Sequence, residues 1–290
     1  MMQRLPDFMI IGAMKSATTT LQEQLVQQAG IFMCDPKEPN FFSDDDQFAR
    51  GLDWYTGLFA QAPAGALLGE ASTHYTKLPT HPDAVARVHQ YVPQAKFVYV
   101  MRHPVDRLIS HYIHELSMGV FHEPMADTVD RYPELVAYGQ YARQLQPWLD
   151  AFGRENILPV FFDRLVAEPQ QELERVCRFI GYTGMPQWQS DLAPSNVSAQ
   201  RIRRFPGYDL VVDSAPAKWL RRHFVPQSAR DWVKSRLTMR QRPEMDAEHR
   251  VRLEQVFDAD LAQLGRWLGV ELNCANFKSV TRANVLEWTH

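Results

Sequence analysis

Phe8-Met9-Ile10-Ile11-Gly12-Ala13-Met14-Lys15-Ser16-Ala17-Thr18-Thr19-Thr20-Leu21 is the stretch whose reading decides the fold. The apolar run Phe8 to Ile11 predicts a short buried strand. Small and hydroxyl residues then fill a tight turn, and Leu21, Leu25 and Val26 follow at helical spacing. A strand, a turn and a helix N-terminus form an anion cradle. The first helical amides have no intrahelical partner, and the helix dipole adds partial positive charge. Lys15 puts a full charge in that turn. The amides and hydroxyls of Ser16, Ala17, Thr18, Thr19 and Thr20 add donors. A phosphate or sulfate group is the ligand class this arrangement predicts.

The nucleoside-triphosphate P-loop, G-x-x-x-x-G-K-S/T, is the nearest general pattern, and the chain departs from it. Lys15 follows Gly12 by three residues, and Ala17 stands where a second glycine is expected. No apolar strand ending in a magnesium-binding Asp stands out downstream, so the bound group is expected to need no metal. The competing reading is an ordinary strand-to-helix connection with a surface lysine. A second segment bears on that choice. Lys96-Phe97-Val98-Tyr99-Val100-Met101 predicts another buried strand, followed by Arg102-His103-Pro104-Val105-Asp106-Arg107-Leu108-Ile109-Ser110-His111-Tyr112. Pro104 fits a first helical turn, where its missing N–H costs nothing. Arg102 then stands at a strand's carboxyl end and Ser110 about two turns into a helix. Ligands of open α/β sheets collect at those strand ends, so Arg102 and Ser110 are candidates to grip a second anionic group.

These two segments resemble the nucleotide-binding signatures of sulfotransferases that use 3′-phosphoadenosine 5′-phosphosulfate (PAPS). The resemblance implies that the Lys15 turn holds the 5′-phosphosulfate and that Arg102 and Ser110 hold the 3′-phosphate. Lys37-Glu38-Pro39-Asn40-Phe41-Phe42-Ser43 and Gly69-Glu70-Ala71-Ser72-Thr73-His74-Tyr75 are similar to two further blocks of the branch containing heparan sulfate sulfotransferases and many bacterial enzymes. The blocks occur in the family's order between Asp7 and Tyr112, and 141–152 and 156–181 are similar but less diagnostic. The implied activity is sulfuryl transfer from PAPS, leaving PAP, to a hydroxyl or an amine of a saccharide or small-molecule acceptor.

The composition is compatible with that reading. A chain of 290 residues with 45% hydrophobic residues and net charge −3 can bury a large core and carries no basic excess. A general role on nucleic acid is therefore ranked low. Cys34, Cys177 and Cys274 have no metal-like spacing, and an odd, sparse count suits a reducing cytoplasm. No signal peptide and no apolar run of membrane-spanning length is apparent, so a soluble, cytoplasmic and bacterial protein without stable membrane association is expected.

Strand and helix candidates alternate, which predicts one α/β domain over 1–290, with a mainly parallel sheet covered on both faces. Leu67 to Gly69 and Ile157 to Phe162 are further strand candidates. Pro169 to Ile180, with Leu173, Val176 and Cys177 on one face and Gly181 as its stop, predicts a helix. Residues 191–245 form the expected variable acceptor or lid region. Leu253, Val256, Phe257, Leu261, Leu264 and Leu268 predict an amphipathic helix over about 245–268.

Sulfuryl transfer asks a protein to take the acceptor's proton and to stabilise charge on the leaving and sulfuryl oxygens. Lys15, the lysine of the cradle, is the candidate for the second task. For the first, the resemblance carries the family's proposed base onto Glu38, and apolar neighbours such as Phe41 and Phe42 are expected to raise its pKa. Its competing role is a solvated ion pair with Lys37. His74 is the rival base, with the right intrinsic pKa; its competing role is a hydrogen-bonded histidine near the sheet edge. His103, His111 and His114 read as packing around the nucleotide pocket.

Two departures from the heparan sulfate branch stand out. Ala71 and Thr73 replace that branch's usual lysine and proline, which removes one cation and argues against a highly sulfated acceptor. The cysteine-bounded loop is absent, with Pro194 to Ser198 and then Arg201 and Arg204 as stand-ins over the nucleotide. Phe41, Phe42, Tyr75, Tyr112, Tyr138 and Trp148 are candidates for an acceptor pocket, each weighed against the core. The basic, aromatic segment 218–242 reads as a lid, a homodimer face or a partner surface. The alternatives to the enzyme are a non-catalytic nucleotide-binding protein of the same fold and, more weakly, an ATP phosphotransferase.

Overall fold

The computed structural model describes residues 4–192, 243 and 245–289. Arg201, Arg204, the 218–242 segment and nearly all of the expected lid region lie outside the described residues. The chain runs β1 (Phe8–Gly12), α1 (Thr18–Val26), β2 (Ile31–Met33), α2 (Asp45–Phe48), α3 (Leu52–Gly57) and β3 (Leu67–Ala71). A 3₁₀ turn at Thr73–Thr76 precedes α4 (Ala84–Tyr91), β4 (Lys96–Met101) and α5 (Pro104–Met118). Then come α6 (Met125–Arg131), α7 (Glu134–Ala137), α8 (Tyr141–Phe152), β5 (Ile157–Phe161), α9 (Phe162–Ala167) and α10 (Pro169–Phe179). Near the C-terminus lie α11 (Ala247–Leu268) and α12 (Phe277–Ala283).

The five strands form one parallel sheet in the order β2-β3-β1-β4-β5. Period-two alternation divides the side chains between its faces. Met9, Ile11, Phe97, Tyr99 and Met101 join one apolar cluster, with α4, α5, α8 and α11 packed over it. Phe8, Ile10, Val98 and Val100 join the other, under Leu21 and Leu25 of α1 and Leu173, Val176 and Cys177 of α10. Strands buried on both faces read as continuous apolar runs, which is why β1 and β4 stand out in the sequence.

Helix boundaries follow local chemistry. Pro104 opens α5, and Gly119 closes it with φ 74°. The Asp246 side chain caps α11 by accepting from the amide of His249 at 3.0 Å. Two expected boundaries shift. β3 runs on through Glu70 and Ala71, and β5 ends at Phe161 with Phe162 already helical. Chain connections leave β1 toward β3 and β2 on one side and toward β4 and β5 on the other. The switch point thus lies between β1 and β4, where the turns bearing Lys15 and Arg102 leave the sheet.

Candidate active site

The turn after β1 is shaped by backbone conformation. Lys15 and Ala17 both adopt left-handed φ, 69° and 70°. Ala17 is the N-cap of α1 and supplies no side-chain cap. The first intrahelical bond runs from the Leu21 amide to the Ala17 carbonyl, at 3.1 Å. The amides of Thr18, Thr19 and Thr20 are therefore presented at the helix mouth without an intrahelical partner. Left-handed conformations cost a non-glycine residue roughly 1–2 kcal/mol, and here they turn successive N–H groups into one concavity suited to an anion.

Arg102 faces this cradle from the end of β4. Tyr141 holds its backbone by accepting from the Arg102 amide at 3.2 Å and donating to its carbonyl. The guanidinium lies 4.7 Å from the Phe162 ring centroid and donates to the Lys15 carbonyl at 3.4 Å. The turn after β1 and the turn after β4 are thereby tied together. Ser110, on α5, is buried beside the same opening.

A cleft of about 1000 Å³ joins these parts. Lys15, Ala17, Thr18, Thr19 and Thr20 line one end, with Arg102 and Ser110. Glu38, Thr73, His74, Lys77, His114 and Glu115 line another part, and Phe162, Leu165 and Trp188 give an apolar wall. Ser16 is a correction: it is fully buried, outside the cleft lining, and its amide donates back to the Ala13 carbonyl at 3.2 Å. Its neighbours on either side have left-handed backbones, which turns its side chain into the protein.

Glu38 sits on a strained loop, with φ 56° for Glu38 and 52° for Asn40. A buried network holds that loop. Glu70 is fully buried and accepts from Ser72 Oγ at 2.6 Å and from the Tyr55 hydroxyl. Ser72 Oγ in turn accepts from the Asn40 amide at 3.1 Å, and the Glu38 amide donates to the Ala71 carbonyl at 3.0 Å. The Glu38 carboxylate accepts from Lys37 Nζ at 2.7 Å and from the Thr73 hydroxyl at 3.3 Å.

Its electrostatics overturn the expected direction. Burial pushes the Glu38 carboxyl up, but Lys37, His74 and Lys77 outweigh it and hold it below the usual glutamate range. Phe41 and Phe42 do not decide the matter, because they point into the core. The surroundings of His74 shift it as well. Burial, then Lys77 and His81, push it down to about 4, and its ring stacks on His81 with centroids 4.9 Å apart. It is neutral near neutral pH, as is His111, which burial takes to about 4.

The aromatic candidates for an acceptor pocket are core residues. Phe41, Phe42, Tyr75, Tyr112, Tyr138 and Trp148 are all buried and outside the cleft lining. Sequence reasoning missed Lys77, Glu115 and the apolar wall, and it placed His114 with the packing rather than on the cleft. Lys77 follows the 3₁₀ turn at the carboxyl end of β3, so the strand-end rule that picked out Arg102 also points to it.

Residues 5–265 match the family model described as "Sulfotransferase domain". The chain belongs to this sulfotransferase family. Over 188 residues it is 32% identical to mouse (Mus musculus) heparan sulfate glucosamine 3-O-sulfotransferase 3B1, covering 62% of this chain and 47% of that protein. Over 203 residues it is 28% identical to human (Homo sapiens) bifunctional heparan sulfate N-deacetylase/N-sulfotransferase 3, covering 61% of this chain and 22% of that one. The chain thus spans about half the length, or less, of these curated relatives. A solved sulfotransferase from Alicyclobacillus acidocaldarius shares the fold, with TM-score 0.65, 24% identity, and coverage of 93% of this chain and 98% of that one. Among the described residues of this sulfotransferase-family chain, no helix is long and apolar enough to cross a membrane.

Proposed function

We propose that this cleft binds PAPS and passes its sulfuryl group to a hydroxyl, or an amine, of a saccharide or small-molecule acceptor, leaving PAP. The observation that carries the reading is one cleft lined by two anion-binding turns and a carboxylate: Lys15 with the Thr18–Thr20 amides, Arg102 with Ser110, and Glu38. PAPS supplies an activated sulfuryl group. The bond from sulfur to the acceptor, S–O for a hydroxyl or S–N for an amine, forms as the S–O bond to the nucleotide phosphate breaks, and the acceptor's proton passes to Glu38.

Glu38 is favoured over His74 as proton acceptor. Its lowered pKa keeps it deprotonated, Thr73 and Lys37 orient it, and a positioned weak base still acts when the acceptor proton leaves late. Lys15 and the helix amides offset charge on the leaving phosphate. Arg102 and Ser110 hold the 3′-phosphate. A cytoplasmic setting is in keeping with three buried free thiols, and a bacterial one with the resemblance to a branch that includes many bacterial enzymes.

The test is transfer of label from PAPS labelled in its sulfuryl group, with the product identified by mass. No transfer to any acceptor, alongside tight PAP binding, would favour the non-catalytic alternative. Arg102→Ala should weaken PAP binding by more than about tenfold, since a hydrogen bond to a charged group contributes roughly 1.5–3 kcal/mol. Adenosine 5′-phosphate, which lacks the 3′-phosphate, should bind mutant and parent alike. Equal losses for both nucleotides in a calorimetric titration would count against the assignment.

A further inference from the structure

The part of the cleft beside Glu38 carries a buried cation that helps depress the Glu38 carboxyl but has no bonded partner of its own in the reaction above. Lys77 is only 8% exposed, yet it lines the cleft with Glu38, His74, His114 and Glu115. Its ammonium lies 5.6 Å from the Tyr138 ring centroid, so the side chain is laid against an aromatic face. Among the described residues that ammonium has no hydrogen bond and no ion pair. Lys37 differs, because its charge is already met by Glu38 at 2.7 Å. Glu38 and Glu115 attract Lys77 from beyond bonding distance, and Arg107 opposes them. Burial dominates the balance and takes Lys77 down to about 8. A cation removed from water is costly unless something pairs with it, and here the open side is the cleft.

Position says which ligand it meets. The cations assigned to the nucleotide leave β1 and β4. Lys77 leaves β3, in the segment whose Thr73 donates to the Glu38 carboxylate. It therefore borders the acceptor rather than the nucleotide. His74 and His111, both neutral near neutral pH, do not compete with it for an anion.

We propose that Lys77 is a specificity-determining residue that ion-pairs with an anionic group, a carboxylate or a sulfate, on the acceptor. This rests on the sulfotransferase reading for the word acceptor, but binding can be scored without turnover. It also replaces the expectation, drawn from Ala71, that a cation is missing from this part of the site.

Three probes share one ring and differ at one carbon: p-nitrophenyl glucuronide, p-nitrophenyl glucoside and p-nitrophenyl glucoside 6-sulfate. Each is titrated calorimetrically into the full chain, with and without saturating PAP. Parent protein is expected to bind the glucuronide or the 6-sulfate at least about tenfold tighter than the neutral glucoside, and the preferred probe names the anion. Lys77→Met should erase that preference and leave glucoside and PAP affinity unchanged. Lys77→Arg should restore it to within a few-fold. Equal binding of the three probes by the parent, or binding of none, overturns the proposal. So does a Lys77→Met protein that keeps the preference, or one that loses affinity for all three probes equally. A parent that fails to bind PAP contradicts the nucleotide reading, while the titrations without PAP still decide the role of Lys77.

Discussion

Glu38→Gln is expected to lower turnover by about 10²–10⁴-fold while leaving PAP affinity near the parent value, because a positioned general base typically contributes that much. Glutamine keeps the size of the side chain and can still accept from Thr73, but it cannot take the acceptor's proton. The pH profile adds a signed check. The Glu38 carboxyl is held below the usual glutamate range, so the parent's acid limb should fall below that range, with activity lost only as the carboxylate is protonated. In Glu38→Gln that limb should vanish. His74→Asn is the control and should have the smaller effect, since His74 near pKa 4 is a poor proton acceptor at neutral pH. Retained activity in Glu38→Gln with loss in His74→Asn, both proteins folded and binding PAP, would reverse the two roles.

Lys15→Ala is the second large effect. Negative charge on the leaving phosphate is greatest in the transition state, so removing Lys15 should cut kcat more than it weakens PAP binding. Loss of one preorganised donor at developing charge costs about 10²–10³-fold in kcat. The Thr18–Thr20 amides remain and should preserve most of the ground-state affinity. Single-turnover kinetics beside equilibrium titration separates the two quantities. A mutant with raised KM and unchanged kcat would show that Lys15 only binds.

The sheet and the two turns at its switch point are legible in the sequence because they depend on local pattern. β1, β4 and β5 are continuous apolar runs, and α10 and α11 carry plain helical stripes. Which anion each turn is proposed to face comes from the family resemblance. What the sequence hides is long-range. Burial raises the Glu38 carboxyl and its chain neighbour Lys37 lowers it most; the further pull of His74 and Lys77, 36 and 39 residues on in the chain, reaches it only through the pairing of β2 with β3. The aromatic pair beside Glu38 looks like a pocket wall in one dimension. In three, Phe41 stacks on Tyr55 with centroids 4.6 Å apart, inside the core. Ser16 reads as a ligand by adjacency, yet the left-handed backbone of Lys15 and Ala17 turns it inward.

The most direct test of the central claim is a calorimetric titration of the full chain with PAP, adenosine 5′-phosphate and ATP, each without and with magnesium. The account predicts saturable PAP binding that does not need magnesium and exceeds that of adenosine 5′-phosphate by more than about tenfold, with ATP binding weakly. Tight, magnesium-dependent ATP binding, or equal affinity for nucleotides with and without the 3′-phosphate, would contradict it.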